Sequence, residues 1–281
     1  MSSQITVPNK AATPNPAKFQ TSWGSEFAAF EGNPDFVLSL ARGLRIIESF
    51  EGHSEGLSVA EISRHTGLSR AAIRRVLITL ELLGYVEAAG RVYRLRHRIL
   101  RLGLSYLSSS SLFAIAQATV QTIADEVDES STLCVLDNDE VFCVAGVVRK
   151  RIMRPGFTTG RRLPAYCSAL GRVLLAGLPE NEFMDYVDRV ERKPLTRKTI
   201  VGRREFIEEV QRVRCAGFSV IDDELELGVR AIAVPVLSSQ GRVVAALSIG
   251  TQSSRISVRE MQTRFLPLLK EHARLVGQFA C

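Results

Sequence analysis

Residues 58–95 constrain the fold more than any other stretch, because each helix start and stop there is set by local chemistry. Ser58, with Glu61 three residues later, has the spacing of a capping box, which satisfies two orphan N–H groups at a helix start. That helix buries Val59, Ile62 and Ala60 and stops at His65-Thr66-Gly67, where glycine supplies a left-handed residue. Ser69 caps the next helix, which runs from Arg70 to about Leu83 and ends at Gly84. Its apolar stripe is Ile73, Val76, Leu77, Leu80 and Leu83. Tyr85–Glu87 and Val92–Leu95 alternate around Ala88–Arg91, the pattern of a short hairpin. Upstream, Phe36, Leu40, Leu44, Ile47 and Phe50 recur at helical spacing and predict a first amphipathic helix packed through that face. Short capped helix, glycine turn, longer helix and hairpin together make a winged helix-turn-helix.

In such a unit the third helix enters the major groove, and its first residues meet base edges. Arg70, Ala71, Arg74 and Arg75 lie at that end, off the apolar stripe. Arginine forks pair with guanine or bind phosphate. Ser58 and Ser69, at helix N-termini, suit phosphates. Arg91, Arg94 and Arg96, on or just after the wing, suit the flanking backbone or the minor groove. The alternative reading is a three-helix scaffold with solvated arginines.

Charge follows the same partition. The whole chain carries 36 − 30 = +6, which by itself admits nucleic acid, an anionic membrane or acidic small molecules. Residues 40–101 hold 11 Arg, no Lys and 6 acidic residues, a net of 11 − 6 = +5. Residues 102–131 hold no basic and 4 acidic residues, and residues 132–281 hold 23 basic and 17 acidic.

A length of 281 residues fits about two domains. No apolar run approaches the ~18 residues of a spanning helix, and MSSQITVPNK has no secretory pattern, so no membrane partner and a cytoplasmic location are expected. The 5 cysteines include no C-x-x-C pair and the 4 histidines are scattered, so neither a disulfide framework, a metal site nor a cofactor is expected. Residues 1–33 read as a disordered arm, in which Trp23, Phe19 or Phe27 can dock. Residues 34–97 read as the DNA-binding unit, and residues 98–131 as a linker helix favoured for dimerisation. Residues 132–281 read as an α+β effector-binding domain, with strands at 132–136, 141–148, 151–158, 229–237 and 242–249 and helices between them.

Within that last domain, Gly160 and Pro164 fix a loop delivering the chain to a helix start at Cys167-Ser168-Ala169-Leu170. Small residues there leave backbone N–H groups open. A carboxylate can sit on the amides of Ala169 and Leu170 and on Ser168, with Arg154 or Arg162 adding charge. Close packing of the helix start accounts for small residues equally well. The run Asp222, Asp223, Glu224 and Glu226 reads as a solvated turn rather than a cation loop, since EF-hand spacing is absent.

Several longer motifs carry a resemblance. SLARGLRIIESF (39–50), GLSRAAIRRVLITLELLGYV (67–86), RILRLGLSYLSSS (98–110), GRRLPAYCSALGRVLLA (160–176), PLTRKTI (194–200) and AIAVPV (231–236) stand in the order found in IclR-type transcriptional regulators. The chain resembles their Pca/Pob branch, which controls protocatechuate, p-hydroxybenzoate and β-ketoadipate catabolism. The resemblance implies a winged helix-turn-helix bound to operator DNA, a dimerising linker helix and a GAF-like effector domain. It also implies homodimers that pair into tetramers, and an aromatic-acid or dicarboxylate effector. Carried over by motif, the effector pocket comprises Arg154, Arg162, Tyr166, Cys167, Ser168, Ala169, Leu170, Glu224, Ala231 and Ser248. The family commonly has a polar residue or cysteine where Ala231 stands and an acidic residue where Ile221 stands, which implies altered ligand contacts.

Two other classes compete. An enzyme would use Cys167 or Ser168 as nucleophile, but three of the 4 histidines lie in or beside the DNA-reading segment, and neither a G-x-S-x-G elbow nor a phosphate loop occurs. No catalytic residue is therefore expected. An architectural DNA binder without a ligand, or a regulator of an unrelated carboxylate pathway, would share most of the same features.

Overall fold

The computed structural model describes residues 33–102, 111–149 and 159–279. The N-terminal arm apart from its last residue, the strand expected at 151–158 and the middle of the expected linker lie outside the described residues. The chain forms two compact units, Met1–Gly103 and Leu104–Cys281.

The first unit runs α1 (Leu38–Glu48), α2 (Val59–Thr66), α3 (Arg70–Leu82), β1 (Val86–Ala89) and β2 (Val92–Leu95). The capping box is formed: Ser58 N–H donates to Glu61 Oε2 at 2.8 Å, and Glu61 N–H donates to Ser58 Oγ at 3.3 Å. Gly67 ends α2 at φ 70, where a side chain would be strained. Ile46, Phe50, Leu57, Ile62, Ile73, Leu77, Leu80 and Val86 make one buried core. Leu57 and Tyr93 exchange backbone hydrogen bonds of 2.9 and 2.8 Å, which ties the wing to the stretch before α2.

Three details differ from expectation. Leu40 and Leu44 are 61% and 48% exposed, because α1 turns Ile46 inward, with Phe50 just beyond its end. Apolar residues occupy more than one side of this helix, so their period does not select the buried face. Ala60 and Leu83 are also exposed. The wing pairs Ala89 with Val92, so only Gly90 and Arg91 remain in its turn.

The second unit opens with α4 (Ser111–Val127), then β3 (Ser130–Asp137), β4 (Glu140–Val147), β5 (Arg162–Pro164), α5 (Ala169–Ala176), α6 (Glu180–Arg189) and α7 (Arg203–Ala216). It closes with β6 (Ser219–Asp222), β7 (Val229–Leu237), β8 (Val243–Gln252) and α8 (Leu266–Gly277). A π-helical turn at Met261–Phe265 precedes α8, beside Pro267, which has no N–H for the regular ladder. The strands form one antiparallel sheet in the order β5-β4-β3-β8-β7-β6. On one face Leu133, Ile232, Val234, Leu247 and Ile249 pack with α4 and α8; on the other Cys134, Ala233 and Ala246 pack with α5, α6 and α7. The short edge strands β5 and β6 carry too little periodicity to be read from sequence.

The expected linker is divided differently. Ala116, Val120, Ile123 and Val127 of α4 are core residues of the second unit, so the boundary falls at 103/104 rather than at 97/98 or 131/132. The acidic end of α4 is answered within that unit: Arg149 pairs with Asp125 and Asp128, and Arg255 pairs with Glu129 at 2.7 Å. Recounted on the observed units, residues 1–103 carry 13 − 9 = +4 and residues 104–281 carry 23 − 21 = +2.

Candidate functional site

Arg70, Ala71, Arg74 and Arg75 are all exposed along the first turns of α3, as a groove-reading helix requires. Among the described residues, Arg70, Arg74, Arg75 and Arg91 form no salt bridge. Ser69 Oγ accepts from Ala72 N–H at 3.3 Å, leaving its own proton available to a phosphate. Ser58 differs, because its hydroxyl donates to Glu61 Oε2 at 2.7 Å and is committed to its own helix. Arg94 Nε donates to Glu55 O at 3.0 Å and Nη2 meets Glu55 Oε2 at 3.3 Å, which makes Arg94 a staple of the wing. Arg96 lies 3.7 Å from Glu87. Both pairs are exposed and weak.

In the second unit, Tyr166, Cys167, Ala169, Leu170, Ile221 and Ala231 belong to one cluster, in which Ala231 and Ile221 are cross-strand partners. Ser248 sits on the same sheet face, between Thr132 and Ala233 in register, and its hydroxyl donates to Thr132 O at 3.4 Å. Opposite α5, this face presents Thr132, Cys134, Ala231, Ala233, Ala246 and Ser248, with no side chain larger than threonine at its centre. Ser219 on β6 lies on the same face. Its buried hydroxyl, and that of Tyr186 on α6, have no hydrogen-bond partner among the described residues.

At the start of α5, Ser168 Oγ accepts from Gly171 N–H at 3.0 Å and Ser168 O accepts from Arg172 N–H at 3.0 Å. The amides of Ala169 and Leu170 are thus the first-turn donors left over. Close packing operates here too: a Cβ on Gly171 would lie 2.2 Å from the carbonyl oxygen of Ala165. Gly171→Ala is expected to cost about 1–3 kcal/mol in a urea titration, through backbone overpacking. An unchanged midpoint would contradict that contact.

The charged residues of the predicted pocket are engaged elsewhere. Arg162 pairs with Asp137, lies 3.8 Å from Glu140 and stacks over Phe142 at 5.4 Å. Glu224 is buried, with both carboxylate oxygens on the Arg172 guanidinium. Arg154 lies outside the described residues. The acidic run is accordingly a set of ion pairs rather than a solvated turn: Lys198 bridges Asp222 and Asp223 at 3.0 and 3.1 Å, and Arg230 meets Asp222 at 2.6 Å.

Arg172 is the residue that sequence reasoning missed. It is 1% exposed, the sole charge in ALGRVLLA, and that isolation was the available signal, since a buried charge requires a partner. Burial also pushes the Cys167 thiol up to about 12, so it holds little thiolate near neutrality. A maleimide at pH 8 is expected to label exposed Cys215 quickly and to leave Cys134, Cys143 and Cys167 protected until the unit unfolds. Fast native labelling of Cys167, read by peptide mass, would contradict its burial.

Among the described residues no helix is long and apolar enough to cross a membrane, and no cluster of three or more His, Cys, Asp or Glu residues is placed to hold a metal ion. The fold defines a class: a winged DNA reader carried on one chain with a small-floored antiparallel-sheet domain. The chain belongs to the IclR family of bacterial transcriptional regulators: residues 39–90 match the IclR helix-turn-helix domain and residues 104–278 the bacterial transcriptional regulator IclR C-terminal domain. It is 37% identical to the Pca regulon regulatory protein of Pseudomonas putida, over 97% of each chain. It is 35% identical to the p-hydroxybenzoate hydroxylase transcriptional activator of Acinetobacter baylyi, over 85% of this chain and 90% of that one. Among solved structures it is similar to a double mutant of the PobR inducer-binding domain from Acinetobacter in complex with 3-hydroxybenzoic acid. That match has 32% identity and a TM-score of 0.56, over 59% of this chain and 97% of that one. These relatives are transcriptional regulators, a non-enzymatic role.

Proposed function

We propose that this regulator binds operator DNA through the α3 arginines and controls aromatic-acid catabolic genes in response to a small aromatic carboxylate. The observation that carries the reading is the start of α5, where two amides without an intrahelical acceptor and the Ser168 hydroxyl lie in the cluster that packs on a floor of small side chains. A helix N-terminus holds a carboxylate, and a low floor leaves room for a flat ring. The names of the relatives support the ligand class: one regulates the Pca regulon, one activates p-hydroxybenzoate hydroxylase, and one is bound to 3-hydroxybenzoic acid. In this reading Ala169, Leu170 and Ser168 take the carboxylate, while Ser219, Ser248 and Tyr186 offer hydroxyls to the rest of the ligand.

Effector binding shifts a two-state dimer and so alters how its two readers meet DNA. In this reading the dimer contact involves the exposed Leu40 and Leu44 of α1, which with Leu83 and Leu102 line a groove of about 590 Å³ rimmed by Arg42 and Arg75. Leu40→Glu with Leu44→Glu is expected to yield monomers by sedimentation.

The deciding experiment is a thermal-shift screen with p-hydroxybenzoate, protocatechuate, β-ketoadipate and muconate, followed by DNA footprinting with and without any hit. Stabilisation by one acid together with an altered footprint supports the proposal. A footprint without any ligand response would instead favour an architectural DNA binder.

A further inference from the structure

We propose that Arg172 is a positioning residue for carboxylate capture: without touching the ligand, it aims the segment leading into α5. This rests on the reading of that helix start as the effector site. Arg172 Nε donates to the carbonyl oxygen of Tyr166 at 3.2 Å. Its Nη1 donates to Glu224 Oε1 at 2.8 Å and to Glu209 Oε1 at 3.4 Å, and its Nη2 donates to Glu224 Oε2. Four of the five guanidinium N–H groups are therefore taken, and the fork is shut off from solvent, so it is poorly placed to serve as the ligand's own cation.

What the fork controls is the direction of one peptide. By holding the Tyr166 carbonyl it keeps that oxygen's negative end inside the ion-pair cluster, away from the Ala169 and Leu170 amides. The other end of Tyr166 is fixed as well: its hydroxyl donates to Lys193 O at 3.0 Å and accepts from Lys193 N–H at 3.2 Å. Glu224 is held in turn through its backbone oxygen, which accepts from Thr199 Oγ1 at 2.7 Å and Thr196 Oγ1 at 3.4 Å. The segment 165–168 and the β6–β7 turn thus meet on one guanidinium, and the 193–199 loop braces both through Tyr166 and Glu224.

The test compares the full-length wild type with Arg172→Lys and Glu209→Gln. Lysine keeps one charge on Glu224 but lacks the flat fork needed to reach Tyr166 O at the same time. Glu209→Gln removes a counter-charge of the same arginine while leaving an acceptor there and the Tyr166 and Glu224 bonds in place. Two quantities are read: amide exchange of the peptide covering 165–171, and p-hydroxybenzoate affinity by calorimetry. For Arg172→Lys, exchange is expected to rise and affinity to fall by about tenfold or more, the effect of losing a charge-assisted hydrogen bond. For Glu209→Gln, both are expected to stay within about twofold, below the net worth of one ordinary hydrogen bond. Unchanged exchange in Arg172→Lys, or an equal rise across the whole unit in both variants, overturns the proposal. Should Arg172→Lys not accumulate, Glu224→Gln, which removes the counter-charge and leaves Arg172 one acceptor in place of two, is expected to move both quantities the same way. If the wild type binds none of the acids, the effector reading fails, and the exchange measurement alone decides whether Arg172 positions the segment.

Discussion

Glu224→Leu is expected to destabilise the second unit by about 3–5 kcal/mol, the cost of leaving a buried guanidinium without its main counter-ion. For a unit of this size that corresponds to a fall in Tm of about 6–20 °C. The magnitude comes from asymmetry. Arg172 and Glu224 together roughly break even against an apolar pair, because the desolvation of two ions offsets their attraction. Removing one of them keeps the other's desolvation cost without the compensation. Glu209 remains only as a distant partner at 3.4 Å, itself held by Arg212 at 2.7 Å. The double replacement Arg172→Met with Glu224→Leu should therefore recover most of the stability that the single one loses. Thermal unfolding of the three proteins checks both statements, and a single variant that melts within about 2 °C of the wild type would refute the first; that interval is under 1 kcal/mol on the same scale.

Arg70→Ala combined with Arg74→Ala is expected to weaken operator binding by about 2–6 kcal/mol, from roughly 1–3 kcal/mol for each base-reading arginine. The two side chains are exposed at the start of α3 and unpaired among the described residues, so their whole charge is available to DNA. Salt dependence separates their roles. An arginine on phosphate lowers the salt slope by about 1 and weakens all sequences alike, whereas one on guanine relaxes specificity at a single position. Arg94→Ala should act less on the salt slope, because Arg94 already binds Glu55 and holds the wing. Fluorescence anisotropy over a salt series reads all of these. An operator affinity unchanged in the double variant would remove α3 as the reading helix.

The parts legible in the sequence are those decided within a few residues. The Ser58 capping box, the Ser69 cap and the Gly67 stop depend on neighbours and form where their spacing placed them, and the wing hairpin forms with a turn two residues tighter than expected. The inward face of α1 was not legible, since Leu40, Leu44, Ile46 and Ile47 line several sides and only tertiary packing selects among them. Likewise the Arg172–Glu224 pair joins residues 52 positions apart, so the isolation of Arg172 announces a partner without saying which. The candidate site divides in the same way. Cys167 to Leu170 is one contiguous stretch that could be read directly. Tyr166, Ala231 and Ser248 came only by resemblance; Ser219 emerged once the sheet brought it to that face, and Tyr186 once α6 packed into the same cluster.

Among the described residues, the sheet of the second unit ends in strands of three and four residues, β5 and β6, while its longer strands are paired on both sides. An edge that brief offers a neighbouring chain few unpaired backbone groups on which to extend the sheet. These two strands therefore give copies of the chain little backbone on which to join strand to strand. In the dimer proposed above, the contact would then rest on helical faces such as α1, where the number of copies is set by geometry rather than by open-ended strand pairing.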